Sequence, residues 1–147
     1  MTIEGSSSQG REVTESELRS TFAEYVSLDE WPPELGAPVR KVVDSAMLFP
    51  GDAQYFEYAM DEAAQRFVGL MGMTLPEDPT ERTARLAQIR YPRPEAGDTE
   101  TNPGQWRAVV VFPRTRVVLF ASAHDAAEFA ELRSRLVVKP STPPGEE

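Results

Sequence analysis

Two short runs of β-branched and aromatic residues, 109–112 and 117–120, form the densest apolar pattern in the chain. A three-residue segment separates them, so the pattern predicts a β-hairpin with a three-residue loop. If Phe112 lies opposite Arg116, apolar side chains occupy the middle of both faces of this hairpin. A sheet with one solvated face alternates apolar and polar residues, so we expect both faces to be covered and the hairpin to form part of the core.

The segment after the hairpin predicts a helix. Ser122 and Asp125 have the Ser-x-x-acid spacing of a capping box, in which the serine hydroxyl accepts a hydrogen bond from the first turn. The apolar residues that follow repeat at helical spacing: Phe129, Leu132 and Leu136. We expect this helix to lie across one face of the hairpin.

The first half of the chain predicts further helices. Helix one begins at Thr14, which forms a capping box with Glu17, and runs to about Ser27. Helix two follows Pro38, because proline suits the first turn of a helix. Its apolar residues follow the i, i+3, i+4, i+7, i+8 template: Val39, Val42, Val43, Ala46 and Met47.

Helix three is predicted over residues 53–71, with Asp52 as its cap. At about 100° per residue, its apolar side chains fall on one stripe. The stripe consists of Phe56, Ala59, Met60, Ala63, Phe67, Leu70 and Met71. We expect this stripe to pack on the hairpin.

The signals after Leu75 are mixed. Asp78 begins a short helical turn, with a proline at the first helical position. We then expect a strand over residues 85–91, with helix as the alternative, because a lone hairpin is marginal in water and needs a third strand. Residues 92–105 are polar and rich in Pro, Gly and Thr, which predicts a long flexible loop.

Together these elements predict an α+β fold, in which a helix-rich N-terminal half packs on a small antiparallel sheet of two to three strands, followed by a C-terminal helix. We expect a single domain over residues 14–138. Residues 1–13 and 139–147 lack apolar periodicity and are predicted to be disordered tails.

The charge of the chain is unevenly distributed. The net charge is −9, and residues 1–62 hold 13 acidic and 4 basic side chains, whereas residues 63–147 hold 11 of each. Nucleic-acid binding needs a basic field that displaces counterions from phosphates, so this composition makes a nucleic-acid partner unfavourable. A protein partner with a basic surface fits an acidic domain better.

The chain contains no cysteine, which excludes disulfides and thiolate metal sites and fits a reducing compartment. No apolar run approaches the length that spans a membrane, and the first residues lack the pattern of a secretory signal. We therefore expect a cytoplasmic protein that does not enter the membrane.

The residues that could carry catalysis are few. The single histidine, His124, lies in the first turn of the last predicted helix, where we expect it to be solvated. The chain has no Gly-rich phosphate loop, G-x-S-x-G or H-E-x-x-H motif. We assign no catalytic, metal or cofactor residue, and one enzymatic alternative stays open, in which Glu57 and Asp61 act as paired carboxylates.

The function that we favour from the sequence is a non-enzymatic, regulatory or adaptor-type interaction module that presents an acidic helical face to a protein partner. Tyrosines beside charged residues on a flank of helix three resemble the composition of an interface. The residues predicted to contact the partner are Trp31, Tyr55, Tyr58, Asp61 and Glu62.

Two further possibilities follow from the apolar residues. Methionine adapts to irregular apolar partners, so an apolar pocket for a small ligand is an alternative function. Its predicted lining is Phe49, Phe56, Met60, Phe67, Met71 and Met73. A small sheet also leaves unpaired edges, and edge-to-edge pairing would produce a homodimer.

Overall fold

The structure is a computed structural model, and it describes residues 11–22, 24–44, 53–89 and 97–140. Within these residues the chain forms nine strands, three helices and one 3₁₀ turn. The strands are β1 (Arg11–Glu12), β2 (Glu24–Leu28), β3 (Val39–Asp44), β4 (Ala53–Asp61), β5 (Arg66–Thr74), β6 (Thr99–Asn102), β7 (Gln105–Val111), β8 (Thr115–Ser122) and β9 (Leu136–Pro140). The helices are α1 (Glu15–Thr21), α2 (Pro79–Gln88) and α3 (Ala126–Arg133), and the 3₁₀ turn is Pro33–Leu35.

Seven of these strands form one antiparallel sheet in the order β1-β3-β4-β5-β8-β7-β6. The remaining two, β2 and β9, pair with each other as a second antiparallel sheet. The fold is therefore predominantly β. The predicted α+β class, with a helix-rich first half on a sheet of two to three strands, is wrong.

Helix three is replaced by the hairpin of β4 and β5, which turns at residues 62–65. Successive side chains of a strand point to opposite faces, so residues two or four apart share a face. Phe56 lies opposite Met71, and Met60 lies opposite Phe67. Phe56 and Met60 are four positions apart in the chain, and so are Phe67 and Met71. This spacing fits one face of a helix as well as one face of a strand, which explains why the apolar period led to the wrong prediction.

Helices one and two are also shortened or replaced. The capping box of Thr14 and Glu17 is confirmed, but α1 ends at Thr21 because the following residues pair with β9 as β2. Residues 39–44, predicted as the start of helix two, form β3 beside β4. Three of these six residues are valine, whose branched side chain favours a strand. The remainder of predicted helix two lies outside the described residues.

The hairpin of β7 and β8 is confirmed, with a different register. Phe112 and Thr115 exchange backbone hydrogen bonds of 2.7 and 3.4 Å, so the turn between them has two residues. Val111, and not Phe112, lies opposite Arg116. A one-residue shift moves every side chain of one strand to the other face, so Ala108 and Val110 share a face with Leu119 and Val117 and not with Val118 and Phe120, as the predicted register requires.

The helical turn at Asp78 is confirmed and continues as α2 to Gln88, so the predicted strand over 85–91 is wrong in its described part. Asp78 accepts a hydrogen bond from the Glu81 N–H at 3.0 Å, as a helix cap does. β6 lies within the predicted flexible loop 92–105, of which residues 92–96 are outside the described residues.

α3 confirms the helix after the hairpin, although Asp125 and not Ser122 caps it, with a 2.9 Å bond from the Glu128 N–H. The chain then extends as β9 from Leu136. β1 and the end of β9 fall inside the segments predicted as tails, and the rest of both segments lies outside the described residues.

Residues on one face of the large sheet, here called the inner face, pack against the β2–β9 sheet, α1 and α3. β2 crosses β5 and β8, and α3 lies over β7 and β8, where Phe129 stacks on Trp106 with ring centroids 6.0 Å apart. The inner face of the hairpin is therefore covered by α3, as predicted, together with β2 of the second sheet. Buried inner-face residues include Tyr55, Ala59, Val68, Leu70, Ala108, Val117, Leu119 and Ala121.

Candidate functional site

A cleft of about 600 Å³ opens at one end of the large sheet, where the β4–β5 turn meets the β6–β7 turn. Its floor is a row of side chains on the outer face, the face opposite the inner one, and the row crosses four adjacent strands. That row consists of Met60, Phe67, Ser122 and Gln105, and the other lining residues are Asp61, Glu62, Gln65, Arg66, Pro103 and Gly104.

Local backbone geometry shapes both turns at the rim. Asp61 accepts a hydrogen bond from the Ala64 N–H at 3.3 Å, and the Gln65 N–H donates to the Glu62 carbonyl at 3.1 Å. Gln65 adopts a φ of 56° and Gly104 a φ of 78°, the left-handed conformation that tight turns require. The first turn therefore holds the Asp61 and Glu62 carboxylates at the mouth of the cleft.

The floor of the cleft is apolar and partly exposed. Met60 keeps 50% of its surface accessible, the highest value among the large apolar side chains that the structure describes. Phe67 beside it is half-buried, and its N–H donates to the Ser122 hydroxyl at 3.1 Å. An exposed apolar floor with a polar rim is typical of a binding site.

Acidic residues lie on and beside the two rim turns. Asp61 and Glu62 line the cleft, and Glu100 reaches the β6–β7 turn, where it accepts a hydrogen bond from the Gly104 N–H at 2.9 Å. The guanidinium of Arg66 lies 3.9 Å from Glu34 and 3.7 Å from Glu128.

Glu128 stays ionised beside Arg66. It accepts a hydrogen bond from the His124 N–H at 2.7 Å, and its carboxylate lies 3.0 Å from the His124 Nδ1. The bond from the His124 N–H is the main cause that lowers the pKa of Glu128 below its ordinary value, and the charge of Arg66 adds to it. Two carboxylates and one guanidinium, those of Asp61, Glu62 and Arg66, thus line the cleft, and the charge of Arg66 is offset by Glu34 and Glu128, which lie outside the lining.

The residues predicted to contact a partner are only partly brought together. Asp61 and Glu62 lie at the cleft, on a strand end and a turn and not on a helical face. Tyr55 and Tyr58 point to opposite faces of β4, and Tyr55 is fully buried. Trp31 packs half-buried against the core.

The predicted pocket residues share one face of the sheet, because they alternate along β4 and β5. Phe56, Met60, Phe67, Met71 and Met73 all point to the outer face, and Phe49 lies outside the described residues. Met60 and Phe67 belong to the cleft, whereas Met73 is buried at the opposite end of β5. The set forms a stripe along a sheet and not the wall of one pocket.

Glu57 and Asp61 do not form a pair of carboxylates in one cleft. They lie four residues apart in one strand, so their Cα atoms are about 13 Å apart at the usual rise of a strand. Glu57 is fully buried beneath the β2–β9 sheet, where it accepts a 2.8 Å hydrogen bond from the Arg40 guanidinium. Asp61, by contrast, reaches the mouth of the cleft.

The surroundings of Glu57 are polar although they are buried. Burial raises the pKa of Glu57, and the nearby Ser27 hydroxyl and the charges of Arg40 and Lys139 offset that effect only in part. Arg40 also lies 3.5 Å from Glu15, whose carboxylate accepts hydrogen bonds from the Tyr25 hydroxyl and from Lys139. This network joins α1 and the small sheet to strands β3 and β4 of the large sheet. The connection indicates a structural role for Glu57.

Several cleft residues were not predicted from the sequence. Gln65 belongs to the β4–β5 turn itself. The pairing of β4, β5 and β8 places Arg66 and Ser122 beside that turn. Pro103 and Gly104 carry a recognisable turn signal, but nothing local in the sequence indicates which turn lies beside them.

The described residues contain no group of three or more His, Asp or Glu side chains placed to hold a metal ion. Among the same residues, each helix is too short or too polar to cross a membrane. Neither a protein-family model, nor a curated protein, nor a solved structure matches this chain.

Proposed function

We propose that this chain is a protein-interaction domain, regulatory or adaptor in type, which binds a basic segment of a partner protein at the acidic cleft. The observation that carries the proposal is the pair of carboxylates, Asp61 and Glu62, that lines the cleft beside an apolar floor, while the lining guanidinium of Arg66 lies within 4 Å of Glu34 and Glu128.

The electrostatics of the cleft favour a cationic partner. Arg66 lies within 4 Å of Glu34 and Glu128, and the two negative charges of these residues outweigh its one positive charge. The two carboxylates at the mouth then retain their attraction for an incoming ammonium or guanidinium group. The net charge of −9 also favours a cationic partner, because it attracts basic proteins at a distance.

The apolar floor explains why a polypeptide suits the cleft better than a simple cation. Lysine and arginine carry apolar stems, which can lie on Met60 and Phe67 while the charged head reaches Asp61 or Glu62. An apolar residue next to the basic one would cover the remainder of the floor. Interfaces that combine an apolar centre with a charged rim follow this composition.

The compartment that we propose for this encounter is the cytoplasm, because a chain without cysteine suits a reducing environment. Regulatory or adaptor binding of this kind needs no catalytic residue in the domain. It requires a charged surface that is held in a fixed geometry, as the two rim turns provide.

Binding of a short peptide of alternating arginine and leucine, measured by isothermal titration calorimetry, tests the proposal. We expect binding that weakens as salt is added, because the rim charges are exposed. Glu62→Lys reverses an exposed rim charge and should weaken binding by about tenfold. The matched control is Glu81→Lys on α2, which follows the opposite end of β5 and should leave the affinity unchanged.

A peptide of alternating glutamate and leucine serves as the second control and should not bind. The proposal fails if the basic peptide does not bind the wild-type domain, or if Glu62→Lys and Glu81→Lys weaken its binding equally. Circular dichroism of each variant establishes that the sheet is intact.

A further inference from the structure

Among the described residues, the outer edge of β7 is covered over only part of its length. β6 pairs with residues 105–107 of β7, and its first residue, Thr99, lies opposite Arg107. β7 continues for four more residues, from Ala108 to Val111. In the part of the chain that the structure describes, no strand lies beside these four residues.

The hydrogen-bond pattern of the hairpin shows which backbone groups face this open edge. Phe112 and Thr115 form a hydrogen-bonded pair, and such pairs alternate with non-hydrogen-bonded pairs along an antiparallel ladder. Val110 therefore directs its N–H and C=O toward β8, whereas Val109 and Val111 direct theirs outward. At the other end of the strand, the 3.0 Å bond from the Ala123 N–H to the Gly104 carbonyl follows the same alternation.

The open edge lies in a groove of about 450 Å³. Gly97 and Asp98 form one wall, and Arg133 of α3 fixes that wall through two bonds to the Asp98 carboxylate of 2.8 and 3.0 Å. The outward N–H and C=O groups of Val109 and Val111 have no partner among the described residues. Unpaired backbone groups at a sheet edge favour the addition of another strand.

We propose that the strand added here is β7 of a second copy of this chain, antiparallel to the first about a two-fold axis at Val110. Val109 of each copy then lies opposite Val111 of the other. The large sheet would continue across the axis into the large sheet of the second copy. The inference is independent of the proposed function, because it uses residues 108–111 and not the acidic cleft.

The register argues for a second copy over an unrelated strand. An isologous interface requires one surface to complement itself. Residues 109 and 111 both face outward and lie symmetrically about Val110, so pairing them across the axis satisfies four N–H and C=O pairs at once. The same pairing sets valine against valine, a favourable cross-strand contact, and covers the exposed side chain of Val111.

Disulfide trapping tests the register directly, because the chain has no cysteine of its own. In the proposed dimer the two copies of Val110 form a non-hydrogen-bonded pair with Cα atoms about 4.5 Å apart, a separation that a disulfide spans. Val110→Cys should therefore form covalent dimers under mild oxidation. Val138→Cys, an exposed valine on β9, is the control and should form few.

Sedimentation of variants tests the interface without a new covalent bond. Val111 and Val138 are exposed to almost the same extent, 39% and 38%, so Val111→Lys and Val138→Lys form a matched pair. We expect the wild-type chain and Val138→Lys to sediment as dimers and Val111→Lys to sediment as a 16.4 kDa monomer with unchanged circular dichroism. A monomeric wild-type chain, a dimer that survives Val111→Lys, or equal cross-linking of both cysteine variants would overturn the proposal.

Discussion

The hydroxyl of Tyr55 bonds to both backbone groups of Val26: it accepts from the N–H at 2.6 Å and donates to the C=O at 2.9 Å. Tyr55 belongs to the large sheet and Val26 to the small one. One side chain therefore satisfies the groups that β2 would otherwise leave unpaired on the side away from β9. The rings of Phe22 and Tyr25 contact the Tyr55 ring edge-on, at centroid distances of 5.1 and 5.4 Å.

Removal of this hydroxyl should loosen the attachment of the small sheet. Tyr55→Phe leaves a buried N–H and a buried C=O of Val26 without partners, which costs about 2 to 3 kcal/mol of the free energy of unfolding. Urea denaturation followed by circular dichroism measures this loss. Tyr58→Phe is the matched control on the same strand, where the ring is half-buried on the outer face, and should change stability by less than about 0.5 kcal/mol.

The Tyr55 ring occupies space that Gly72 leaves open. A Cβ atom at Gly72 would lie closer than 3.0 Å to Cζ, Oη and Cε1 of Tyr55. Gly72→Ala should therefore displace the ring and lower the free energy of unfolding by about 2 kcal/mol or more. Gly69→Ala on the same strand meets its nearest atom, the Cβ of Tyr58, at 3.4 Å and should be tolerated. Equal stability of the two variants would contradict the packing described for Tyr55.

Glu57 should make stability depend on pH in a defined direction. Burial raises its pKa above 4.5 in the folded protein, so the folded state binds this proton more tightly than the unfolded state. The stability that Glu57 contributes is then fully present below about pH 4.5 and is lost as the pH rises through the folded pKa. Glu57→Gln removes the titration and preserves an oxygen that can accept from Arg40.

The measurement is the free energy of unfolding of wild type and Glu57→Gln at several pH values between 4 and 8, a range that spans the ordinary and raised pKa of a carboxyl. The difference between them isolates residue 57, because the other carboxylates are common to both proteins. We expect wild type to lose stability relative to Glu57→Gln as the pH rises. A relative gain with rising pH would mean that the ion pair with Arg40 outweighs burial.

Local signals predicted the parts of the fold that local interactions determine. The predicted caps at Thr14 and Asp78 both exist, since each joins a side chain to a backbone N–H within three residues, whereas the last helix is capped by Asp125 and not by the predicted Ser122. The β7–β8 hairpin was also predicted, because β-branched residues on both sides of a short turn leave few other structures. Its register was wrong by one residue, since nothing in the loop sequence separates a two-residue from a three-residue turn.

The β4–β5 hairpin was not predicted, and the reason lies in its turn. Residues 62–65 contain no glycine, proline or asparagine, and Gln65 occupies the left-handed position that glycine usually fills. Alanine and glutamate there favour a helix on propensity alone. Pairing with β3 and β8 on both sides overrides that preference, and those contacts come from distant parts of the chain.

The candidate site was predicted only as separate residues. Asp61 and Glu62 were assigned to a partner surface, and Met60 and Phe67 to a ligand pocket, whereas the structure places all four around one cleft. Their association depends on strand order and register, which side-chain spacing within one segment does not contain.

Chemical-shift mapping by NMR tests the binding of a basic segment at the cleft most directly. The labelled domain is titrated with the alternating arginine–leucine peptide, and the amide signals that move are assigned to residues. We expect the largest changes at residues 60–67 and 104–105 and at Ser122, the parts of the chain with amide signals that form the cleft. Changes centred on α2 or on the β7–β8 turn, or no change at saturating peptide, would contradict the account.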